Sequence, residues 1–392
     1  HIAGATFILM HNNGSRKMSL PMQSLHDLLY RRVPRVPVTQ LLVIGNLVVF
    51  IAMLAGGAGL WHSSNSVQLA WGANFGPATQ DGEWWRLGSA MFLHFGVIHL
   101  TLNLWALWDG GQLVERMYGH TRFIAIYFIS GLTGNLLSLV AHKGLAISGG
   151  ASGAIFGIYG ALLVFLWCER RNLHPEEFRW FFWGAAGFAL ATLILGLLIT
   201  GIDNAAHVGG FLTGILGGTI FTRSVDVIKP LFHRIQLFAG SIFVFAIVIL
   251  ISQIPVRPYR WSEEVMARKE IGEFLHDDVV ISQAWQSILN EGKRSGISFD
   301  ELAGRLDTAV GDRYEESFEQ LSHLPPDPAL PSAATVEMLR HYAERRRDAS
   351  RALAEGLRAH KPAQIRDALE MEKQSRQLTQ PDREPIKKPG RE

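Results

Sequence analysis

The chain has 392 residues, 48% hydrophobic and 18% charged, with a formal net charge of +2 at pH 7. That balance gives no nucleic-acid signal, and the single cysteine, Cys168, excludes an intrachain disulfide and a Cys-based metal site. Roughly two thirds of all Asp, Glu, Lys and Arg lie after Ile254, so an apolar region is followed by ordinary soluble sequence.

The first residues, His1 to Met10, are apolar but lack the basic start of a signal peptide, and no function is assigned to them. A membrane-crossing helix needs about 20 mostly apolar residues. No Asp, Glu, Lys or Arg occurs in 36–80, 87–108, 123–142, 144–168, 180–202, 204–222 or 235–256. The first stretch is too long for one helix, so its span is expected near Thr39–Gly59, followed by a loop. Seven spans are predicted. Trp71, Trp84 and Trp85 in that loop suit the headgroup layer. Cys168, beside Glu169, Arg170 and Arg171, reads as a membrane-end position.

Basic residues near span ends set orientation. Arg16, Lys17, Arg31, Arg32 and Arg35 precede the first span, Arg170, Arg171 and Arg179 follow the fourth, and Arg223, Lys229 and Arg234 follow the sixth. All fall on one side if the N-terminus is cytoplasmic, with Lys143, the lone basic residue between spans three and four, on the opposite side. Seven spans then put the tail outside the cytoplasm.

From about Arg257 the tail reads as helices. Ser298-Phe-Asp-Glu301 fits a capping box. Val336, Leu339, Ala343, Leu353 and Leu357 have helical spacing. Pro325, Pro326, Pro328 and Pro331 mark a break. The expected organisation is an N-terminal cytoplasmic segment (1–37), a six-span core (38–223), a loop and seventh span (224–256), a helical soluble domain (257–380) and a disordered end (381–392). The fold class is an all-α polytopic membrane bundle with a helical soluble C-terminal domain.

Polar residues inside spans are costly and therefore informative. Gly149-Gly150-Ala151-Ser152-Gly153 opens the fourth span. Flanking glycines let a backbone approach closely, and a helix start offers unpaired N–H groups to a developing negative charge. Ser152 there suits a nucleophile, while tight helix packing is the plainer explanation of the motif. Asn204-Ala-Ala-His207-Val-Gly-Gly210 opens the sixth span, with Gly210, Gly214 and Gly218 on one face. The fourth span, with Gly153, Gly157 and Gly160, is its natural partner. This pairing brings Ser152 and His207 to the same depth near the outer surface. A serine hydroxyl needs a positioned base, and a histidine of ordinary pKa about 6.5 suits the role; a single buried structural histidine is the blander reading. The third member of a triad would be a carboxylate. Asp203 is the only nearby one, and its position favours helix capping, so a Ser–His dyad is expected.

His94-Phe-Gly-Val-Ile-His99-Leu-Thr-Leu-Asn103 lies in the second span, with His99 and Asn103 on one helix face. An asparagine amide can donate to a tetrahedral oxyanion or make an interhelical hydrogen bond. Trp85-Arg86 in the first loop and Glu115 after the second span read as structural groups that order a loop.

Together these places resemble the rhomboid family of intramembrane serine proteases. The resemblance rests on Gly150-Ala151-Ser152-Gly153, on His207 with Gly210 and Gly214, on His99 and Asn103 with His94 before them, on Trp85-Arg86, and on Glu115 in Glu115-Arg-Met-Tyr-Gly119. It covers about residues 38–223. It implies cleavage of a peptide bond in or near a substrate's transmembrane segment, with Ser152 as nucleophile, His207 as general base and no cofactor. It implies an oxyanion site from His99, Asn103 and the Ser152 backbone amide. Phe156 stands where some members carry a tyrosine stacked under the catalytic histidine, and Ala90 replaces a histidine seen in some members.

A transporter would show ionisable residues at mid-membrane or internal repeats, and a metalloprotease would need a His-Glu-x-x-His set; neither pattern is present in the sequence. The competing reading within the same fold is a proteolytically inactive, rhomboid-like factor that binds membrane proteins. The expected partners are transmembrane protein substrates, the lipid bilayer and a protein partner for the C-terminal domain, with no nucleic acid. The expected location is a bacterial inner membrane, with the C-terminal domain periplasmic.

Overall fold

The computed structural model describes residues 24–25, 29–30, 33–222, 229–293 and 296–377. The expectations for His1–Met10, Arg16, Lys17, Arg31, Arg32, Arg223 and the end Pro381–Glu392 lie outside the described residues. Among those described, the chain is helical, and its one isolated bridge pairs Asn74 with Ser148 in antiparallel sense. It divides into two compact units, one of residues 1–75 and 85–254, the other of 76–84 and 255–392.

In the first unit the long helices are α1 (Pro37–Ala55), α2 (Val97–Tyr118), α3 (His120–Ala141), α4 (Ser152–Glu169), α5 (Pro175–Leu198), α6 (Asn204–Phe221) and α7 (Lys229–Ser252). Pro37 opens α1 and Pro175 opens α5, where a missing N–H costs nothing. Glu176 and Glu177 sit in the first turn of α5, favourably placed for the helix dipole. Glu177 also accepts from the Leu25 N–H at 2.8 Å. Five helices, α1, α3, α4, α5 and the Phe232–Ser252 part of α7, are long and apolar enough to cross a membrane. A sixth arises if Arg86–Phe92 and α2, bent by 92°, are taken together.

The sequence prediction of seven spans differs from this count at two places. The uncharged stretch 87–108 is not one helix: it breaks before Gly96, and α2 runs on through Asp109, Glu115 and Arg116 to Tyr118. Glu115, expected after the span, lies within its last two turns. It is fully buried and tolerated because its carboxylate accepts from the Val38 N–H (3.1 Å), the Thr39 N–H (2.7 Å), the Thr39 hydroxyl (2.6 Å) and pairs with His120 Nδ1 (2.6 Å). Dividing the sequence at every charge therefore cut this helix too early. The second place is α6, whose 18 residues include Asn204, His207 and a run of glycines that dilute its apolar character.

Water is absent from a bilayer core, so helices there associate through close packing of small residues rather than through the hydrophobic effect. The α4–α6 pair is built this way. A Cβ added at Gly210 would lie 1.9 Å from the Gly153 carbonyl oxygen, and one at Gly214 would lie 2.0 Å from that of Gly157. The two backbones touch with no side chain between them. Helix α4 is the most enclosed of the five, with 72% of its apolar window buried, against 11% for α5 and 6% for α7. The outer helices carry exposed apolar side chains, Leu41, Ile44 and Ile51 on α1 and Phe238, Phe245 and Val248 on α7, as lipid-facing surfaces require.

The second unit contains α8 (Trp261–Gly292), α9 (Phe299–Leu306), α10 (Asp312–Ser322), α11 (Ala333–Arg358) and α12 (Pro362–Gln377), with the short helix Gly76–Gln80. Ser298 caps α9 by accepting from the Glu301 N–H at 3.2 Å. The proline-rich segment falls between α10 and α11. The core joins Phe274, Trp285, Leu306, Tyr314 and Leu353. Within it lies Arg346, only 1% exposed. Its guanidinium pairs with Glu372, donates to the Tyr314 hydroxyl at 3.1 Å and stacks over Trp285, Tyr314 and Tyr342. Asp81 belongs to this unit as well. It accepts from the Ser262 N–H (2.9 Å), the Ser262 hydroxyl (2.7 Å) and Arg257 Nη1 (2.7 Å). No local pattern in residues 76–84 marks them as packing with the tail.

Candidate active site

Ser152 is the first residue of α4 and His207 lies in the first turn of α6. The glycine contacts hold these two helix starts side by side. His207 Nε2 lies 2.8 Å from the Ser152 hydroxyl oxygen, and the histidine is 4% exposed. Phe156, one turn along α4, stacks on the imidazole with ring centroids 4.3 Å apart and planes 11° apart. The ring is held by the Phe156 face and by the serine hydroxyl, and the tyrosine hydroxyl absent at position 156 takes no part in the stacking.

Among the described residues, His207 Nδ1 has no hydrogen-bond partner. The nearby carboxylate is occupied elsewhere: Asp203 Oδ1 accepts from the Ala206 N–H at 3.0 Å and caps α6. Asp203 Oδ2 accepts from the Ser138 and Ser148 hydroxyls at 2.5 and 2.6 Å.

The segment before Ser152 is extended and anchored. Ser148 exchanges two 2.9 Å backbone hydrogen bonds with Asn74, and the Gly150 N–H donates to the Ala90 carbonyl at 2.8 Å. Position 90 thus contributes its backbone, which any residue supplies. Gly150 has φ 144°, a conformation that favours glycine. The point a Cβ of residue 150 would occupy lies 3.1 Å from His99 Nε2 and 3.7 Å from the Ser152 hydroxyl oxygen. Glycine therefore keeps open a small space faced by both groups.

His99 and Asn103 project from the first two turns of α2. The His99 Nδ1 faces the Phe95 N–H at a long 3.5 Å, and its Nε2 is turned to Gly150. Asn103 is 6% exposed and spends one amide hydrogen on the His99 carbonyl at 2.8 Å, leaving a second N–H. His94 is fully buried, edge-on to His99 with centroids 5.1 Å apart. Arg86 is buried and donates to the Leu69 and Ala73 carbonyls at 2.8 and 3.2 Å, while its guanidinium lies over Trp85, 4.9 Å from the ring centroid. Trp85 and Arg86 thus order the first loop, and Glu115 fixes the start of α1; none of these three touches Ser152 or His207.

Sequence reasoning overlooked Asn74, Asn135, Ser138 and Ser148. Asn74 Nδ2 donates to the Asn135 carbonyl at 2.9 Å and Asn135 Nδ2 to that of Leu87 at 2.7 Å. The signal available was the presence of Asn135 and Ser138 inside an apolar span, where a polar group needs a partner.

These features define a multi-pass helical membrane protein with a half-buried serine bonded to a buried histidine at the joined starts of two helices. Residues 81–224 match the Rhomboid domain. The chain is 36% identical over 173 residues to Rhomboid protease GluP of Bacillus subtilis (strain 168), covering 43% of this chain and 31% of that protein. It is 32% identical over 210 residues to RHOMBOID-like protein 4 of Arabidopsis thaliana, covering 49% of this chain and 50% of that one. With Rhomboid protease AarA of Providencia stuartii it shares 29% identity over 264 residues, 62% of this chain and 90% of the relative. The chain spans only 31% and 50% of the lengths of the first two relatives. The chain is thus similar to rhomboid proteins, through a domain matched at residues 81–224.

Proposed function

We propose that this protein is an intramembrane serine endopeptidase that cuts the transmembrane segments of other membrane proteins with a Ser152–His207 dyad and no cofactor. The observation that carries the reading is the 2.8 Å hydrogen bond between His207 Nε2 and the Ser152 hydroxyl. Ser152 attacks the scissile carbonyl carbon as its proton passes to His207. The tetrahedral oxyanion accepts hydrogen bonds from the Ser152 backbone N–H, which as the first in α4 has no intrahelical partner, and from Asn103 and His99. Collapse expels the amine, which takes the proton from His207, and water then hydrolyses the acyl-enzyme by the same steps in reverse order. The engagement of both Asp203 oxygens away from His207 Nδ1 supports a dyad rather than a triad. The named activities of GluP and AarA support the same chemistry here.

The sidedness of the tail follows as part of this reading. Asp81 in the first loop bonds to Ser262 in the tail, so the chain between them must cross the membrane an even number of times. The Arg86–Tyr118 pair, α3, α4, α5, α6 and α7 make six crossings only if α6 is one of them, which supports a transmembrane α6. With the basic residues of the α4–α5 connection inside, the loop and the C-terminal unit face outward, into the periplasm if the host is a bacterium. The tail's charged helical surface then suits a protein partner.

The test is a panel of single-span substrates reconstituted with the protein and with its Ser152→Ala variant. Cleavage by the first and not the second supports the proposal. An inactive membrane-protein binding factor would retain the substrates uncut in both cases.

A further inference from the structure

We propose that Asp203 is a positioning residue for the Ser152–His207 pair, tying the nucleophile's approach segment to the helix that carries the base; this rests on the protease reading above. A helix cap requires one acceptor oxygen, and Oδ1 fulfils that role at the Ala206 N–H. The second oxygen makes two further bonds that capping does not explain, to Ser138 at the end of α3 and to Ser148 in the connection to α4. Ser148 lies four residues before Ser152, and Asp203 lies four residues before His207. Ser148 is itself held by two backbone hydrogen bonds to Asn74 in the first loop. One carboxylate thus joins three segments, two of which lead directly into the reacting side chains.

Hydrogen bonds to an ionised acceptor are roughly twice as strong as neutral ones, and a catalytic pair misplaced by about 1 Å loses about 10²-fold in rate. His142, whose Nδ1 lies 3.9 Å from Oδ1, is the other ionisable group at this junction. It is 41% exposed and hydrogen-bonds the Ser138 carbonyl, so it closes the junction from the solvent side. The Asp203 carboxylate touches neither Ser152 nor the His207 imidazole; its backbone carbonyl accepts from the His207 N–H at 3.2 Å as part of the helix start, and the effect of the side chain passes through the two chain segments.

The experiment measures the rate of Ser152 labelling by a fluorophosphonate, and kcat and KM for a single-span substrate, in the full chain in detergent. Asp203→Ser keeps a good helix cap but is too short to hold both hydroxyls. It should lower the labelling rate and kcat by about 10- to 100-fold, leave KM within about twofold, and leave the melting temperature close to that of the parent. Ser148→Ala should lower the same rates, and the double variant should be no slower than the slower single one, because both changes break one link. Parental labelling rates in Asp203→Ser and Ser148→Ala would overturn the proposal while leaving the dyad intact. Losses that track melting temperature or simply multiply in the double variant would also overturn it, in favour of a cap alone. Failure of the parent itself to label or cleave would remove the protease reading and this inference with it.

Discussion

His207 Nε2 and the Ser152 hydroxyl meet at 2.8 Å across 55 residues of chain because nothing larger than hydrogen separates the helices that carry them. The contact between Gly210 and the Gly153 carbonyl is what sets that distance. Gly210→Ala puts a methyl 1.9 Å from a backbone oxygen, a clash that only helix separation relieves. Overpacking of this kind costs about 1–3 kcal/mol. The variant should lower the melting temperature, and its activity should fall further than stability alone explains, since the reacting atoms move apart. Thermal unfolding and single-turnover cleavage, measured together, check this; an unchanged cleavage rate would show that the glycine seam does not set the dyad.

Asn103 is expected to act on the transition state. Asn103→Ala should reduce turnover by about 10²–10³ with a smaller effect on substrate binding. Its bond to the His99 carbonyl lies within one helix, so its loss should not unfold the protein. Equal loss of binding and turnover would assign Asn103 to structure.

Asp81 links the first loop to the tail, and its charge state should matter. Burial raises its pKa, but the Ser262 donors and the Arg257 and Arg260 charges outweigh this and hold the carboxyl below the ordinary range. A depressed pKa in the folded state means the link is at full strength above the unfolded value, about 3.9, and weakens as pH falls through the folded value. Hydrogen exchange in 76–84, corrected for intrinsic rates, should rise in acid. Asp81→Asn should show that rise already at neutral pH.

The tail should be separable from the chemistry. Every proposed catalytic residue precedes it, so truncation after about Pro258 should leave cleavage of a simple model substrate intact while loosening 76–84. An alkaline phosphatase fused to the C-terminus should be active if the tail is outside. A cytoplasmic tail would break the even count of crossings and remove α6 or α7 from the spans.

Much of this site was legible because membrane helices make polar and glycine residues conspicuous. Ser152, His207, His99 and Asn103 stood out against apolar surroundings, and the glycine repeats of α4 and α6 pointed to their pairing. Glu115 was misplaced because a buried, fully hydrogen-bonded carboxylate behaves unlike the solvent-seeking charge that span counting assumes. Ser138 and Ser148 were missed because a serine advertises nothing until its partner is known, and Asp203 could be read only as a cap. The packing of 76–84 with the tail joins residues some 180 positions apart, through one carboxylate and two polar partners, a contact with no local pattern.

The most direct measurement is cleavage of a reconstituted single-span substrate by the parent chain, Ser152→Ala, His207→Ala and the double variant, each shown to be inserted and folded. Cleavage by the parent alone is expected, with either single change as damaging as both together, because a base without its nucleophile does little. Substantial cleavage by Ser152→Ala, at the same peptide bond as the parent, would contradict it.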